Sequence, residues 1–279
     1  LPQFTSCCPA WVKFVETFYP QYIPNLSSCK SPISMQASVI KNYFSKQIKV
    51  SPSDIVLVAM TPCVAKKFEI KRDELRGIYG QDTDFVVSVR EMGKLLKKQK
   101  INFKSLKDAP FDEAFPTGSG AGVIFGASGG VMEAAVRTAY HMTMGGNPPA
   151  DLLHFKKLRG YKDVKTATVN LLNKDIKLCV IFGTMAARTV LDKLKSKHFD
   201  MIEVMACPNG CVGGGGQPKQ ADNDSAVIKR AENLYHQDEI MDVKSSYENP
   251  VIKMLYNEFL TAPLSERAKQ YLHTTYKKR

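Results

Sequence analysis

The 279-residue sequence has little of several things that would have placed it at a glance. No apolar run approaches the ~18 residues that a membrane helix requires, and the longest candidate, Gly120 to Met132, is short and full of glycine and alanine. There is one tryptophan, and the five histidines (141, 154, 198, 236 and 273) fall at no ligand spacing. No strict Gly-x-Gly-x-x-Gly is present, and the run Gly213 to Gly216 does not lead into Gly-Lys-Ser/Thr, so neither a dinucleotide fingerprint nor a phosphate loop is supported. Internal repeats, a low-complexity linker and a secretory signal are all missing from view. The seven cysteines are an odd number, which does not close a disulfide framework. Acidic residues are scarce beside basic ones, 27 against 39, leaving a net charge of +12.

What remains is an ordinary folding chain. Hydrophobic residues make up 44% and charged residues 24%, which excludes a disordered or fibrous protein. A chain of this length buries roughly three quarters of the surface its unfolded form exposes, so it needs no disulfide staples. Length suggests about two domains or one large one. The positive excess fits a nucleic-acid partner, an acidic protein partner or solubility alone.

Pattern places helices and strands in alternation. Trp11, Phe14, Val15 and Phe18 recur at helix spacing between Cys8-Pro9 and Pro20. Ile33 to Phe44 is helical in period. The apolar run Ile55 to Ala59 predicts a buried parallel strand that stops at Thr61-Pro62-Cys63. Phe85 to Val89 predicts a strand and Glu91 to Lys98 a helix. A glycine-rich stretch, Gly118 to Gly130, precedes a helix from Val131 to about His141. Thr166 to Leu172 and Ile176 to Phe182 predict a hairpin across Asn173-Lys174-Asp175. Thr184 to Leu194 is helical, Met201 to Met205 a strand, and the tail carries helices near 226–235, 251–260 and 265–272. The fold class is α/β, with Phe103 to Ser119 the best boundary between lobes.

Three segments share one design: Thr5-Ser6-Cys7-Cys8-Pro9, Thr61-Pro62-Cys63 and Cys207-Pro208-Asn209-Gly210-Cys211. Each sets cysteine beside proline at a strand end or helix start. Loops at the carboxyl ends of strands are where open α/β sheets bind ligands. Free N–H groups at helix starts favour thiolates and anionic clusters. Cys8, Cys63, Cys207 and Cys211 are the natural set of four metal-ligating thiolates. Structural zinc competes with an iron–sulfur cubane for them. Zinc sites usually pair cysteines two residues apart, whereas here the tight pair has three residues between and the others are scattered, which favours the cubane. Cys179, in an apolar strand, and Cys29, in a Ser-rich loop, read as bystanders.

The segments Thr5-Ser6-Cys7-Cys8-Pro9-Ala10-Trp11, Pro62-Cys63-Val64-Ala65-Lys66-Lys67-Phe68-Glu69 and Glu203-Val204-Met205-Ala206-Cys207-Pro208-Asn209-Gly210-Cys211, with the following Gly-Gly-Gly-Gln217-Pro218, resemble the three signature motifs of [FeFe]-hydrogenases. Asn25-Leu26-Ser27, Gly120 to Glu133 and Glu248-Asn249-Pro250 extend the resemblance over the whole chain. It implies a two-lobed fold of mixed and parallel sheets flanked by helices, with the metal cluster in the cleft. Residues 1–110 would be the remainder of the first lobe, 111–220 the second, and 221–279 a helical, small-subunit-like segment.

The resemblance also implies reversible reduction of protons to hydrogen at an H-cluster. In it, a cubane held by Cys8, Cys63, Cys207 and Cys211 is joined through Cys211 to a two-iron subsite carrying CO, cyanide and azadithiolate. Cys7 would be the proton relay, Ser27 would extend the proton chain and Lys66 would hydrogen-bond a cyanide. Phe125 and Met205 would wall the subsite. Implied partners are ferredoxin or another acidic electron carrier and the maturation proteins, with neither nucleic acid nor a membrane span. The compartment stays open between a bacterial cytoplasm and an anaerobic organelle. Two departures stand out. Thr61 occupies the position where methionine usually precedes Pro-Cys, and the family's catalytic domain is expected to begin upstream of Leu1. The competing readings are an iron–sulfur assembly or scaffold protein without the two-iron subsite, which needs neither Cys7 nor Lys66, and a hydrogen sensor of the same fold, in which the relay cysteine is often altered.

Overall fold

The fold is taken from a computed structural model, which describes residues 2–111, 115, 117–146, 148, 149, 156, 157, 163–194 and 198–279. Its larger sheet has five strands in the order β1-β7-β6-β5-β4. β1 (Gln3–Phe4) pairs parallel with β7 (Met201–Met205), which pairs parallel with β6 (Lys174–Phe182). β6 then turns antiparallel to β5 (Val164–Leu171), and β5 to β4 (Lys156–Lys157). The hairpin turns on Leu172 and Asn173, both at positive φ, one residue earlier than expected. That is the two-residue loop whose twist matches the strands.

The inner strands alternate cleanly between two cores. Cys179, Ile181, Ile202 and Val204 face the core that holds Phe4, Trp11 and Val15, while Leu178 and Val180 face Met132 and Val136. The first core is closed by α1 (Pro9–Phe18), whose Pro9 fills a first-turn position where no N–H is needed. α2 (Pro32–Val39) runs through a π turn, Ile40–Phe44, into α3 (Ser45–Gln47).

The second sheet is only β2 (Val58–Thr61) parallel to β3 (Phe85–Ser88), followed by α4 (Lys66–Glu69) after β2 and α5 (Val89–Lys98) after β3. The α5 start is a capping box, with Ser88 and Glu91 exchanging hydrogen bonds to backbone amides. The expectation of a buried strand at Ile55 to Ala59 needs correction. The strand begins at Val58, and Val56, Val58, Met60 and Phe85 are exposed, because among the described residues this sheet has two strands and one bare face.

α6 (Gly120–Val123) leads into α7 (Gly130–Met144), which covers the second core, and α8 (Thr184–Asp192) lies on the first. α9 (Asn223–Ile240), α10 (Pro250–Leu255) and α11 (Glu266–Leu272) form the tail. Leu255, Phe259, Leu260 and Ala268 of the tail pack with Val39 and Tyr43. The expected lobe boundary, Phe103 to Ser119, lies partly outside the described residues.

Candidate metal centre

Parallel pairing brings distant motifs to one place. Because β1 and β7 run side by side in the same direction, the loops after Phe4 and after Met205 leave the same edge. Thr5 Oγ1 accepts the Val204 N–H at 3.3 Å, and the Ala206 N–H donates to Cys8 Sγ at 3.5 Å. Trp11 Nε1–H closes the first loop on Thr5 O at 3.1 Å, with Cys8 as the N-cap of α1.

The third loop folds back through Asn209 and Gly210, both at positive φ. A Cβ on Gly210 would stand 2.7 Å from Ser128 N, so the glycine is required by close backbone approach as well as by φ. The glycine run clasps the second loop: the Gly216 N–H donates to Pro62 O at 2.8 Å, and a Cβ on Gly214 would stand 2.5 Å from the same oxygen.

Cys8, Cys63, Cys207 and Cys211 lie within electrostatic reach of one another, and Cys7 within reach of Cys8 and Cys211. Burial first, then Cys8 and Cys63, push the Cys211 thiol up to about 12. Burial and the same two cysteines raise Cys207. Burial also raises Cys8, against N–H groups of Ala206 and Trp11, and Cys63 adds to the rise. Cys7 is driven up by burial, then by Glu203, Cys8 and, more weakly, Cys211, while Lys66 pulls it down. Cys8 is buried and Cys7, Cys63, Cys207 and Cys211 are half-buried. Thiolates at Cys8, Cys207 and Cys211 are disfavoured without compensating charge, which a bound metal would supply.

Four cysteine thiols brought from three separate loops are the donor chemistry of an iron–sulfur cubane, and the donor set fits that group.

The other anticipated residues fall as follows. Lys66, buried on α4, donates from Nζ to Cys7 O at 3.1 Å and pairs with Glu69 at 2.7 Å. Met205 is buried and Phe125 half-buried, both in the core cluster that contains Cys7, Cys8 and Cys211. Thr61 is buried, and its Oγ1 accepts the Cys63 N–H at 3.3 Å. Ser27 lies beside β1: its N–H donates to Phe4 O at 2.8 Å, and its Oγ accepts the Cys29 N–H at 3.3 Å. Cys179 is fully buried in β6, and Cys29 presents its carbonyl to Ser6 Oγ at 2.8 Å.

Sequence reasoning missed Glu203. Its carboxylate is fully buried on the α7 side of β7 and accepts the N–H groups of Gly129 and Met132, each at 2.7 Å. Burial outweighs those bonds and raises it to about 7. The signal was an acid inside the apolar strand Met201 to Met205.

A mixed α/β fold with cysteine loops gathered at the ends of parallel strands points to an iron–sulfur class of protein. The family model described as "Iron only hydrogenase large subunit, C-terminal domain" matches residues 1–215, and "Iron hydrogenase small subunit" matches 224–279. The chain belongs to the iron-only hydrogenase family.

It is 41% identical over 280 residues to the NADP-reducing hydrogenase subunit HndD of Solidesulfovibrio fructosivorans, covering 100% of this chain and 48% of that one. To iron hydrogenase 1 of Clostridium pasteurianum it is 39% identical, covering 99% and 49%. Protein NAR1 of Arabidopsis thaliana matches at 31%, covering 99% and 61%. The chain therefore spans about half the length of the curated hydrogenases it matches. Among solved structures, a variant of apo [FeFe]-hydrogenase HydA1 from Chlamydomonas reinhardtii superposes with a TM-score of 0.89 at 35% identity, covering 100% of this chain and 76% of that one.

Proposed function

We propose that this protein reduces protons to hydrogen, reversibly, at an H-cluster held by Cys8, Cys63, Cys207 and Cys211, with Cys211 bridging to a two-iron subsite. The observation that carries the reading is the setting of Cys7. It is flanked electrostatically by Cys8, Cys211 and Lys66, and Lys66 Nζ is fixed on its carbonyl at 3.1 Å. A cubane alone needs neither that thiol nor that ammonium.

When bound, the H-cluster supplies the electrons that join two protons into hydrogen. Cys7 carries a proton at Sγ between the subsite and the interior. Ser27, in the loop bonded to β1, continues the chain outward. Lys66 offers ammonium donors to a small anionic ligand. Met205 and Phe125 keep water from the subsite. Electrons arrive from ferredoxin or a similar acidic carrier, a partner that the net charge of +12 favours through steering. Maturation proteins deliver the two-iron part.

The second reading is a cubane-only assembly factor. It is favoured by the match to NAR1 and by 29% identity to the cytosolic Fe-S cluster assembly factor narfl of Danio rerio. Infrared spectroscopy after anaerobic maturation of the protein that carries this chain separates the two. CO and cyanide bands with hydrogen evolution are expected. A cubane signal without those bands would overturn the hydrogenase reading in favour of the assembly factor.

A further inference from the structure

Both ends of the peptide unit joining Pro62 to Cys63 are held. Its carbonyl accepts the Gly216 N–H at 2.8 Å, and its amide N–H donates to Thr61 Oγ1 at 3.3 Å. The carbonyl end has no room to turn. Cβ atoms on Gly214 and Gly216 would stand 2.5 and 2.7 Å from Pro62 O, so the glycine backbone lies hard against it. The amide end is capped by the buried Thr61, whose hydroxyl makes the short side-chain turn that Ser and Thr favour two residues before an N–H.

Cys8 is treated differently, its Sγ accepting the Ala206 N–H at 3.5 Å. At Cys63 the nearest amide is diverted to a side-chain oxygen. N–H groups aimed at cluster sulfurs stabilise the more negative, reduced state and raise the reduction potential.

We infer that Thr61 is a positioning residue that withholds the Cys63 amide from the cubane and so keeps its reduction potential low. A residue without a hydroxyl at this position removes that acceptor, and an N–H left without a partner turns to the nearest acceptor in reach. A cubane held through the Cys63 sulfur would offer sulfur acceptors at this residue. The inference rests on the four-cysteine cubane of the proposed function, but not on the two-iron subsite. It holds equally for a cubane-only protein.

The test compares wild type, T61V and T61S, each loaded with the cubane alone and titrated potentiometrically by electron paramagnetic resonance. T61V is expected to shift the midpoint potential positive, beyond the scatter of repeat titrations, and T61S to stay with wild type. A T61V potential equal to wild type, or a T61S shift as large as that of T61V, overturns the inference. Should a variant fail to take up the cubane, amide exchange of the metal-free protein with isotope-labelled cysteine decides. Cys63 N–H exchange is expected to quicken several-fold in T61V and not in T61S, and equal protection in all three would overturn the inference. Absence of four-cysteine-dependent iron and sulfide in wild type is a separate result, which refutes the cubane itself.

Discussion

At the scale of single residues, burial sets the chemistry. Cys7 sits in the core cluster beside Cys8 and Cys211, and its thiol is driven up by burial and by neighbouring negative charge. In the metal-free chain the thiol therefore keeps its proton, and the relay proposed for it needs a strongly basic acceptor. C7A is expected to retain the cubane, measured as iron and sulfide content, while losing hydrogen turnover by a factor of about 100 or more. Wild-type turnover would remove the relay role.

Glu203 gives a pH prediction. Its folded value, raised to about 7, lies above the ordinary range near ~4.3. Between those values the folded chain holds a proton that the unfolded chain has released. Its contribution to stability is present below ~4.3 and lost as the pH rises toward 7. Urea unfolding of the metal-free protein should show wild type losing stability relative to E203Q across that window. Parallel curves would place the titration elsewhere. Neither the burial of Glu203 nor the Lys66–Glu69 pair was legible in the motifs, because both depend on which helix lands on which strand.

At the scale of elements, the loops are specified by their glycines. Gly210 and Gly80 both have positive φ, but only Gly210 is hemmed in, by backbone atoms of Ser128 and Ala127 at 2.7 and 3.0 Å. G80A should cost about 1 kcal/mol, the left-handed penalty alone. G210A should cost about 2 kcal/mol or more, since rigid backbone must also move, and should impair cluster loading. Urea midpoints and iron content check both, and equal costs would refute the packing argument.

Element type was readable where the pattern is long. The helix opened by Cys8-Pro9 and the strand into Cys207 stand where periodicity put them, and the hairpin does so apart from its turn, which comes one residue earlier. The Cys-Pro segments were readable as loop starts, and the first and third of them meet beside β1 and β7. β1 was invisible, because two residues carry no period, yet its pairing with β7 brings the first and third motifs together. The exposed face of β2 was equally illegible: an apolar run states what could be covered and not what covers it.

At the scale of the whole molecule, the two regions matched by separate family models are tied by an ionic strap. Glu16 on α1 is fully buried. Its carboxylate accepts Arg72 Nη1 at 2.9 Å, the Lys277 backbone N–H at 3.3 Å and Arg279 Nε at 3.2 Å. Arg279 and Lys277 reach on to Glu74, at 3.0 and 2.9 Å. The Thr274 N–H donates to Ser28 O at 2.7 Å, so the strap also crosses the loop that carries Ser27.

A buried pair of this kind is weak as a net source of stability but costly to break on one side. E16L leaves the Arg72 guanidinium buried with Glu74 alone, at 3.8 Å, and should destabilise the protein by about 3–5 kcal/mol. It should also free residues 273–279 for tryptic cleavage at Lys277 and Lys278. Adding R72M to E16L removes the orphaned charge and should restore most of the loss in urea unfolding, because two apolar side chains replace two compensated ions. The tail should nonetheless stay protease-sensitive, since Lys277 and the Arg279 guanidinium have lost the Glu16 carboxylate and only the Arg279 N–H still reaches α1, at Glu16 O, 3.2 Å. If the double variant is as unstable as E16L, the loss comes from packing around Glu16. If its tail is protected, the strap is held by Glu74, Ser28 and the Glu16 backbone carbonyl without the Glu16 carboxylate.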